Sequence, residues 1–293
     1  MESVPAEFIE RVLQNGSHGP LMRLKEEFGG IWSVMTTKLH CFRVVNICIC
    51  MSGDTVYYRL YPDGDRNGTF NVSVLDPKKN YISVIIIEGE EILSPHHSVM
   101  TKEVLAKLKK MLSCARRRLT HLYFYVACDT NPQILNLLDS VLTVTDMFIC
   151  TGNKTLIPFC KRMLQQTVRH FFVGFHTEIN EEIGDLVIKA LKEKRLRQAC
   201  FKVTEHSKAV GDRIVHTILH EIHWHTSCTI RLSEQYKEVF SSFKSLLKPL
   251  ELPGHDHLFE AQNGTQIKLE DPKGDLVKFK GFQNHFVPNN QLL

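Results

Sequence analysis

The segment HTILHEIHWH holds the densest group of side chains that could bind a metal, with histidines at His216, His220, His223 and His225. On a helix, residues at positions i, i+4 and i+7 lie on one side, so the first three histidines could converge on a zinc ion. The metalloprotease motif needs two residues between its glutamate and the second histidine, and only one separates Glu221 from His223. A metal-dependent enzyme that uses this histidine cluster therefore stays one interpretation of the segment.

The other interpretation is a solvated helix face. Val210, Ile214, Ile218 and Ile222 recur at helical spacing and predict a buried side, which places the histidines on the opposite side. No glycine-rich phosphate loop and no Gly-x-Ser-x-Gly nucleophile motif occurs in the sequence. We therefore expect a protein that is not an enzyme, with no catalytic residue, no metal site and no cofactor.

Composition narrows the class of protein further. A hydrophobic content of 43% supports a folded core, and 36 basic against 32 acidic residues do not indicate a nucleic-acid surface. The nine cysteines lie mostly in apolar runs, which is typical of buried, reduced thiols in the cytoplasm or nucleus. No apolar run approaches the ~20 residues that a membrane-spanning helix needs. We expect a cytoplasmic or nuclear protein that is not secreted and binds neither membrane nor nucleic acid.

Hydrophobic periodicity divides the chain into four parts. Residues 1–40 read as short helices, interrupted at Asn15-Gly16 and at Gly29-Gly30. Residues 41–98 carry strand patterns separated by turn-rich segments and predict a small antiparallel sheet. Its predicted strands are CFRVVNICIC, TVYYRLY, TFNVSVL and YISVIII.

Residues 99–250 alternate helices with short apolar strands. The predicted strands are LYFYVAC (122–128), MFIC (147–150), HFFVGF (170–175), ACFKV (199–203) and CTIRL (228–232). Equivalent positions recur at steps of 25, 23, 29 and 28 residues, with helices expected to begin near Asn131, Asn153, Asn180, Ser207 and Ser233. One strand and one helix in that length predict a leucine-rich-repeat-like array, and the alternative is an ordinary open α/β sheet with right-handed crossovers.

The C-terminal part, residues 251–293, has a different pattern. QIKLE and LVKFKGF are separated by a turn-forming Pro-Lys-Gly-Asp and predict a β-hairpin that caps the array. The predicted fold is therefore mixed α/β: a helical N-terminal unit, a small antiparallel sheet, a strand-helix array and a closing hairpin.

Strand alternation also predicts which side chains are displayed for binding. If Phe124, Val126 and Cys128 face the core, the residues between them face outward. The same count along each strand gives a predicted target-binding face made of Tyr123, Tyr125, Ile149, Phe172, His176, Lys202, Thr204, Thr229 and Arg231. Aromatic residues mixed with a few charges suit a protein interface, unless helices cover both sides of the sheet.

The N-terminal segment VPAEFIERVLQ, followed by LMRLKEEFGGIW, resembles the F-box motif. That motif begins with an apolar-Pro-x-Glu helix and closes with a tryptophan-bearing helix, at a similar Pro-to-Trp spacing. The matching positions are Val4, Pro5, Glu7, Phe8, Ile9, Val12, Leu13, Leu24 and Trp32. Across its length the chain further resembles the divergent F-box and F-box-associated proteins expanded in nematodes.

The resemblance implies a subunit of a ubiquitin ligase. Val4, Pro5, Phe8, Ile9, Val12, Leu13, Leu24 and Trp32 would then contact a Skp-family adaptor of a cullin ubiquitin ligase, and the downstream region would select a protein target. The same apolar residues would also serve a helical cap packed on residues 41–98. A scaffold that no longer binds the adaptor is the corresponding functional alternative.

Overall fold

A computed structural model of the chain describes residues 30–34, 43–77, 79–89, 93–113, 119–126, 130–149, 154–174, 178–221, 227–232, 248–249, 258–260, 266–269 and 276–280. The chain forms two compact units: residues 1–125 with 130–145, and residues 126–129 with 146–293. The protein is mixed α/β, with mostly parallel strand pairing in the repeated part and helices between the strands. Within the described residues, no helix is long and apolar enough to cross a membrane.

Five strands build the sheet of the first unit. They are β1 (Arg43–Ser52), β2 (Thr55–Pro62), β3 (Asn80–Glu88), β4 (Ser98–Val99) and β5 (Leu119–Phe124). Their order is β5-β3-β1-β2-β4. β1 and β2 pair antiparallel, as predicted for this segment, with Gly53 at φ 56° in the turn, a value that glycine adopts without strain.

The purely antiparallel sheet predicted for residues 41–98 is wrong in one strand. β3 pairs in parallel with β1, and β5 pairs in parallel with β3. The antiparallel β2 returns the chain to the start of β1, and residues 63–79 then connect β2 to β3 at that same end of the sheet. A bulge also shifts the alternation of side chains along β3. Val45 pairs with Ile82, but the next residue, Asn46, pairs with Val84.

The strand predicted at TFNVSVL is also wrong. Residues Val72–Val74 form a 3₁₀ turn instead. The Asn71 side chain accepts a hydrogen bond from the Ser73 backbone N–H at 2.8 Å, and Leu75 N–H bonds back to the Val72 carbonyl. Such local bonds offer the backbone an alternative to a strand ladder, so the turn displaces the predicted strand.

Helices α1 (Lys102–Leu112) and α2 (Pro132–Leu138) contact each other, and α1 packs on β3. Both begin after the side-chain caps Thr101 and Asn131. The core of this unit combines buried helix residues with one face of the sheet, where the largest fully buried side chains include Ile47, Ile49, Ile85, Ile87 and Phe124. The opposite face carries the more polar side chains.

The second unit alternates strands and helices. In chain order these are β6 (Val144–Ile149), α3 (Ile157–Gln166), β7 (His170–Val173), α4 (Glu181–Lys192), β8 (Gln198–Val203), α5 (Lys208–His220) and β9 (Ser227–Leu232). The strands are parallel and adjacent in chain order, and successive helices contact each other. Helices predicted near Asn131, Asn180 and Ser207 are confirmed. The helix predicted near Asn153 is α3, which begins at Ile157 after a 3₁₀ turn over Lys154–Leu156, and the position of Ser233 lies outside the described residues.

Four further strands follow β9: β10 (Lys248–Pro249), β11 (Leu258–Glu260), β12 (Gln266–Leu269) and β13 (Leu276–Lys280). β12 and β13 pair antiparallel, which agrees with the predicted hairpin. β13 also pairs antiparallel with β9, so this hairpin extends the parallel sheet at its last strand.

The start of α4 gives a testable contribution to stability. Asn180 accepts a hydrogen bond from the Ile183 backbone N–H at 2.8 Å and caps the helix. We expect Asn180→Ala to lower the free energy of unfolding by about 1 kcal/mol in urea titrations, because an orphan helix donor loses its partner. Asn180→Asp should retain the stability, since a carboxylate accepts the same bond, and an equal loss in both variants would contradict the capping role.

Candidate functional site

An aromatic row runs along β5 on the face opposite the core. Tyr123 stacks between His121 and Tyr125, with ring centroids 5.9 Å from His121 and 6.0 Å from Tyr125. The Tyr125 side chain is 44% exposed, whereas Phe124 between the two tyrosines is 1% exposed. The alternation predicted for this strand is therefore observed, and the row offers a flat apolar surface with hydroxyl groups at its edge.

The second unit has a corresponding face on β6 and β7. The rings of Phe148 and Phe172 lie 6.3 Å apart, as the parallel register that pairs these two residues requires. Beside them, His170 Nδ1 lies 2.6 Å from Asp146 Oδ1. Half-buried Lys202 of β8 lies on the same face in register. Apolar rings with charged neighbours are the composition that protein interfaces favour.

The predicted display of Ile149 is wrong, because this side chain is 5% exposed. The ladder pairs Ile149 with buried Val173 and pairs Phe148 with Phe172. Alternate residues of a strand point to opposite faces, so a count that is off by one in this strand exchanges the two residues. Phe148 replaces Ile149 on the face.

The remaining predicted face residues are placed only in part. Thr204 is half-buried, and its backbone N–H donates to Ser207 Oγ at 2.9 Å. The backbone of Thr229 pairs with Cys200, and that of Arg231 pairs with Lys202. The position of His176 lies outside the described residues, as does that of Cys128, and Val126 is buried as predicted.

Of the predicted adaptor-binding residues, only Trp32 is described. It lies half-buried in one helical turn, residues 31–34, whose Ile31 and Val34 are exposed. The other members of the set, Val4, Pro5, Phe8, Ile9, Val12, Leu13 and Leu24, lie outside the described residues. The choice between an adaptor-binding unit and a helical cap therefore stays a prediction.

The histidine segment is described only up to Glu221. His216 and His220 are exposed on α5 with ring centroids 4.5 Å apart, and the buried stripe of Val210, Ile214 and Ile218 is confirmed. His223 and His225 lie outside the described residues. The neighbouring carboxylates form ion pairs with basic side chains. Asp185 pairs with Arg213 at 2.8 Å, and Glu221 pairs with Lys192 at 2.6 Å.

A different cluster of possible metal ligands lies on the polar face of the first unit. Cys48 and Cys50 of β1 point to the same side, and their sulfur atoms are 4.0 Å apart. His97, just before β4, places Nε2 3.3 Å from Cys50 Sγ. Glu88 at the end of β3 places Oε2 3.2 Å from Cys48 Sγ. In the part of the chain that the structure describes, this is the one group in which three such ligand atoms all lie within 4.8 Å of one another.

Hydrogen bonds and burial shift the pKa values of the side chains in this cluster. The hydrogen bond to Cys50, followed by burial, raises the pKa of the Cys48 thiol, and the same bond lowers the pKa of Cys50. Burial lowers the pKa of the His97 imidazole, which favours its neutral form. The Ser94 backbone N–H donates to His97 Nδ1 at 3.0 Å, and the Ser94 hydroxyl oxygen lies 2.9 Å from the same nitrogen. These two contacts fix the orientation of the ring.

Sequence reasoning assigned these cysteines to the core as inert thiols and did not find the cluster. The signal was the Cys-x-Cys spacing of Cys48 and Cys50 inside a predicted strand, since period-2 alternation places both on one face. The partners follow from the sheet: Cys50 faces Glu88 in the β1–β3 register, and β4 pairs with β2 beside β1.

Comparisons with known proteins add no family. No family model matches the chain, and no curated protein matches it. Among solved structures, MycE methyltransferase from the mycinamycin biosynthetic pathway, in complex with Mg and SAH, aligns over 97% of this chain and 94% of its own at 8% identity and a TM-score of 0.24. The same enzyme with Mg, SAH and mycinamycin VI aligns over 96% and 94% at 6% identity and a TM-score of 0.27. TM-scores this low carry no inference about fold or activity.

Proposed function

We propose that the protein is a non-catalytic substrate-recognition adaptor that links a Skp-family adaptor of a cullin ubiquitin ligase to a protein target. The observation that carries the recognition role is the aromatic row of β5, in which Tyr123 and Tyr125 stand opposite the buried Phe124. The resemblance of residues 4–32 to the F-box supports the link to the ligase. Ubiquitin transfer itself would belong to the partner enzymes.

The strand order of the second unit supports a leucine-rich-repeat-like array as the recognition region. Strands β6 to β9 lie side by side in chain order, α3 contacts α4, and α4 contacts α5. A doubly wound sheet reverses its strand order and carries helices on both faces, which would cover the strand surface. A singly wound array leaves one strand face for partners, as solenoid proteins do.

The side chains on these faces suit a protein partner. Tyrosine is over-represented among the residues that dominate interface energies, and its stacked ring loses little conformational freedom on binding. In the second unit Phe148 and Phe172 supply apolar area, while the Asp146–His170 pair and Lys202 supply charge around it. A target with an apolar segment and adjacent charges would match this composition.

Co-elution tests the ligase link. The full chain mixed with a Skp-family adaptor at micromolar concentration should co-elute in size-exclusion chromatography. Trp32→Ala should abolish the complex, whereas Trp224→Ala, the same substitution at the chain's other tryptophan, should retain it. If the wild-type chain elutes alone, the protein is a scaffold without ligase function and the adaptor proposal is withdrawn.

Target capture tests the recognition face. We expect Tyr125→Ala to reduce quantitative recovery of ubiquitinated partners by about tenfold or more, as loss of an interface anchor does, with the melting temperature nearly unchanged. Leu142→Ala is the matched control, because this side chain is 45% exposed and is not part of the aromatic row. Equal recovery with Tyr125→Ala, Phe172→Ala and the wild-type chain would contradict the assigned face.

A further inference from the structure

Two cysteines, a histidine and a glutamate from separate segments of the first unit meet on one side of its sheet. Cys48 and Cys50 come from β1, Glu88 from the end of β3, and His97 from the segment before β4. Thiolate and imidazole together are the ligand set that zinc prefers in proteins. We propose that Cys48, Cys50 and His97 bind a zinc ion, with the Glu88 carboxylate beside the fourth position.

The distances between ligand atoms agree with a tetrahedral site. Zn–S bonds of about 2.3 Å and Zn–N bonds of about 2.0 Å place two sulfurs about 3.8 Å apart, and sulfur and nitrogen about 3.5 Å apart, around a tetrahedral ion. The Cys48 and Cys50 sulfurs are 4.0 Å apart, and Cys50 Sγ is 3.3 Å from His97 Nε2. All three ligand atoms lie within 4.8 Å of one another, so the side chains would draw together around the ion.

Glu88 is the nearest candidate for the fourth ligand. Its backbone pairs with Cys50 in the β1–β3 ladder, so its side chain lies on the same face as the cysteines. Its Oε2 is 3.2 Å from Cys48 Sγ, close to the sulfur–oxygen separation of about 3.6 Å around tetrahedral zinc. Zinc with two thiolates and a neutral imidazole has no net charge, so a coordinated Glu88 would give the site one negative charge.

Ser94 lies next to the second ring nitrogen of His97, the one that would not coordinate the metal. A histidine that coordinates through Nε2 carries its proton on Nδ1, and metal-bound histidines donate this proton to a nearby acceptor. The Ser94 hydroxyl lies 2.9 Å from His97 Nδ1, and the Ser94 carbonyl oxygen lies 3.3 Å from it. The Ser94 backbone N–H also donates to Nδ1 at 3.0 Å. Zinc binding through Nε2 would therefore release the two thiol protons, place the imidazole proton on Nδ1, and require this N–H to turn away so that a Ser94 oxygen accepts that proton.

Other uses of the two thiols fit the structure less well. A nucleophilic cysteine must reach its substrate, and Cys50 is 0% exposed. A disulfide is disfavoured because residues i and i+2 of a strand have Cα atoms about 6.6 Å apart, near the upper limit for a bridge, and parallel Cα–Cβ directions. A metal ion would bind both sulfur atoms, and it requires neither access of a substrate to Cys50 nor the geometry of a disulfide.

Zinc stoichiometry tests the proposal. The full chain, expressed without an affinity tag and purified without chelator, should contain one zinc ion per chain by inductively coupled plasma mass spectrometry. Co²⁺ alone, added after zinc removal, should give the visible bands of tetrahedral coordination and a thiolate charge-transfer band. His97→Ala should lose at least half of the bound zinc and the tetrahedral spectrum, while His96→Ala, at an exposed neighbouring histidine, should keep both.

Two further variants separate this site from the alternatives. Cys48→Ser should remove the charge-transfer band, and Cys160→Ser, at a buried cysteine of α3, should retain it. If Cys48→Ser does not fold, His97→Ala still decides the result, because its side chain is only half-buried. Zinc retained in His97→Ala but lost in His216→Ala/His220→Ala would assign the metal to α5 and overturn the proposal. A metal-free wild-type chain that takes up neither ion would overturn it as well.

Discussion

Phe124→Ala should lower the free energy of unfolding by about 3–5 kcal/mol, which is the range for removing a buried phenylalanine ring. The side chain is 1% exposed and is among the largest fully buried residues of the protein. Its strand β5 pairs with β3, where Phe124 faces Ile87, so the cavity would open inside the core of the first unit. Urea titration followed by circular dichroism measures the change.

Tyr125→Ala is the control for Phe124→Ala, because it removes a ring of similar size from the other face of the same chain segment. The loss should stay below about 1.5 kcal/mol, since the Tyr125 side chain is 44% exposed and its ring stacks on Tyr123. If Tyr125→Ala proves the more destabilising of the two substitutions, the two faces of β5 have been exchanged.

Gly184→Ala should destabilise the second unit by about 1–3 kcal/mol through overpacking. A Cβ atom at Gly184 of α4 would lie 2.1 Å from Cγ1 of Val210, a buried residue at the start of α5. Valine is stiff at χ1 and cannot turn aside freely, so the two helices must move apart. Thermal unfolding of the variant should occur several degrees below that of the wild-type chain.

A double-mutant cycle identifies the cause of that loss. Val210→Ala alone leaves a small cavity, but together with Gly184→Ala it removes the clash and returns part of the lost volume. The double variant should therefore be more stable than the sum of the two single changes predicts, by at least about 0.5 kcal/mol. Strict additivity would mean that the Gly184–Val210 contact does not limit the packing of α4 on α5.

Period-2 and helical patterns located most elements of the repeated region. The strands predicted at 170–175 and 199–203 overlap β7 and β8, and the asparagines at 131 and 180 cap their helices as expected. Strand limits were misplaced, because apolar residues continue beyond the end of β5 and polar residues belong to β6. The predicted strand MFIC began at residue 147, whereas β6 begins at Val144, and counting faces within so short a stretch misplaced Ile149.

Strand partners and the cysteine cluster required the tertiary structure. A near-continuous apolar run such as YISVIII is typical of a strand in a parallel ladder, but the run does not identify the strand with which it pairs, so the pairing of β3 with β1 required the tertiary structure. Likewise, Cys48 and Cys50 identify a pair of ligands, but His97 is distant in sequence and is brought to them by the chain's return to the sheet. Sequence spacing can identify ligands only among residues that are close together in the chain.

The parallel pairing of β1 with β3 also bears on synthesis of the chain. β1 and β2 form a local hairpin that can close as soon as residue 62 has emerged from the ribosome, whereas β3 ends at residue 88. Until then the edge of β1 that will pair with β3 has no partner strand on the nascent chain. β1 carries Val45, Ile47 and Ile49, which are fully buried in the finished protein. Unpaired apolar edges promote association between chains. A translational pause between the emergence of residue 62 and that of residue 88 from the ribosome should therefore increase chaperone capture or aggregation of the nascent protein.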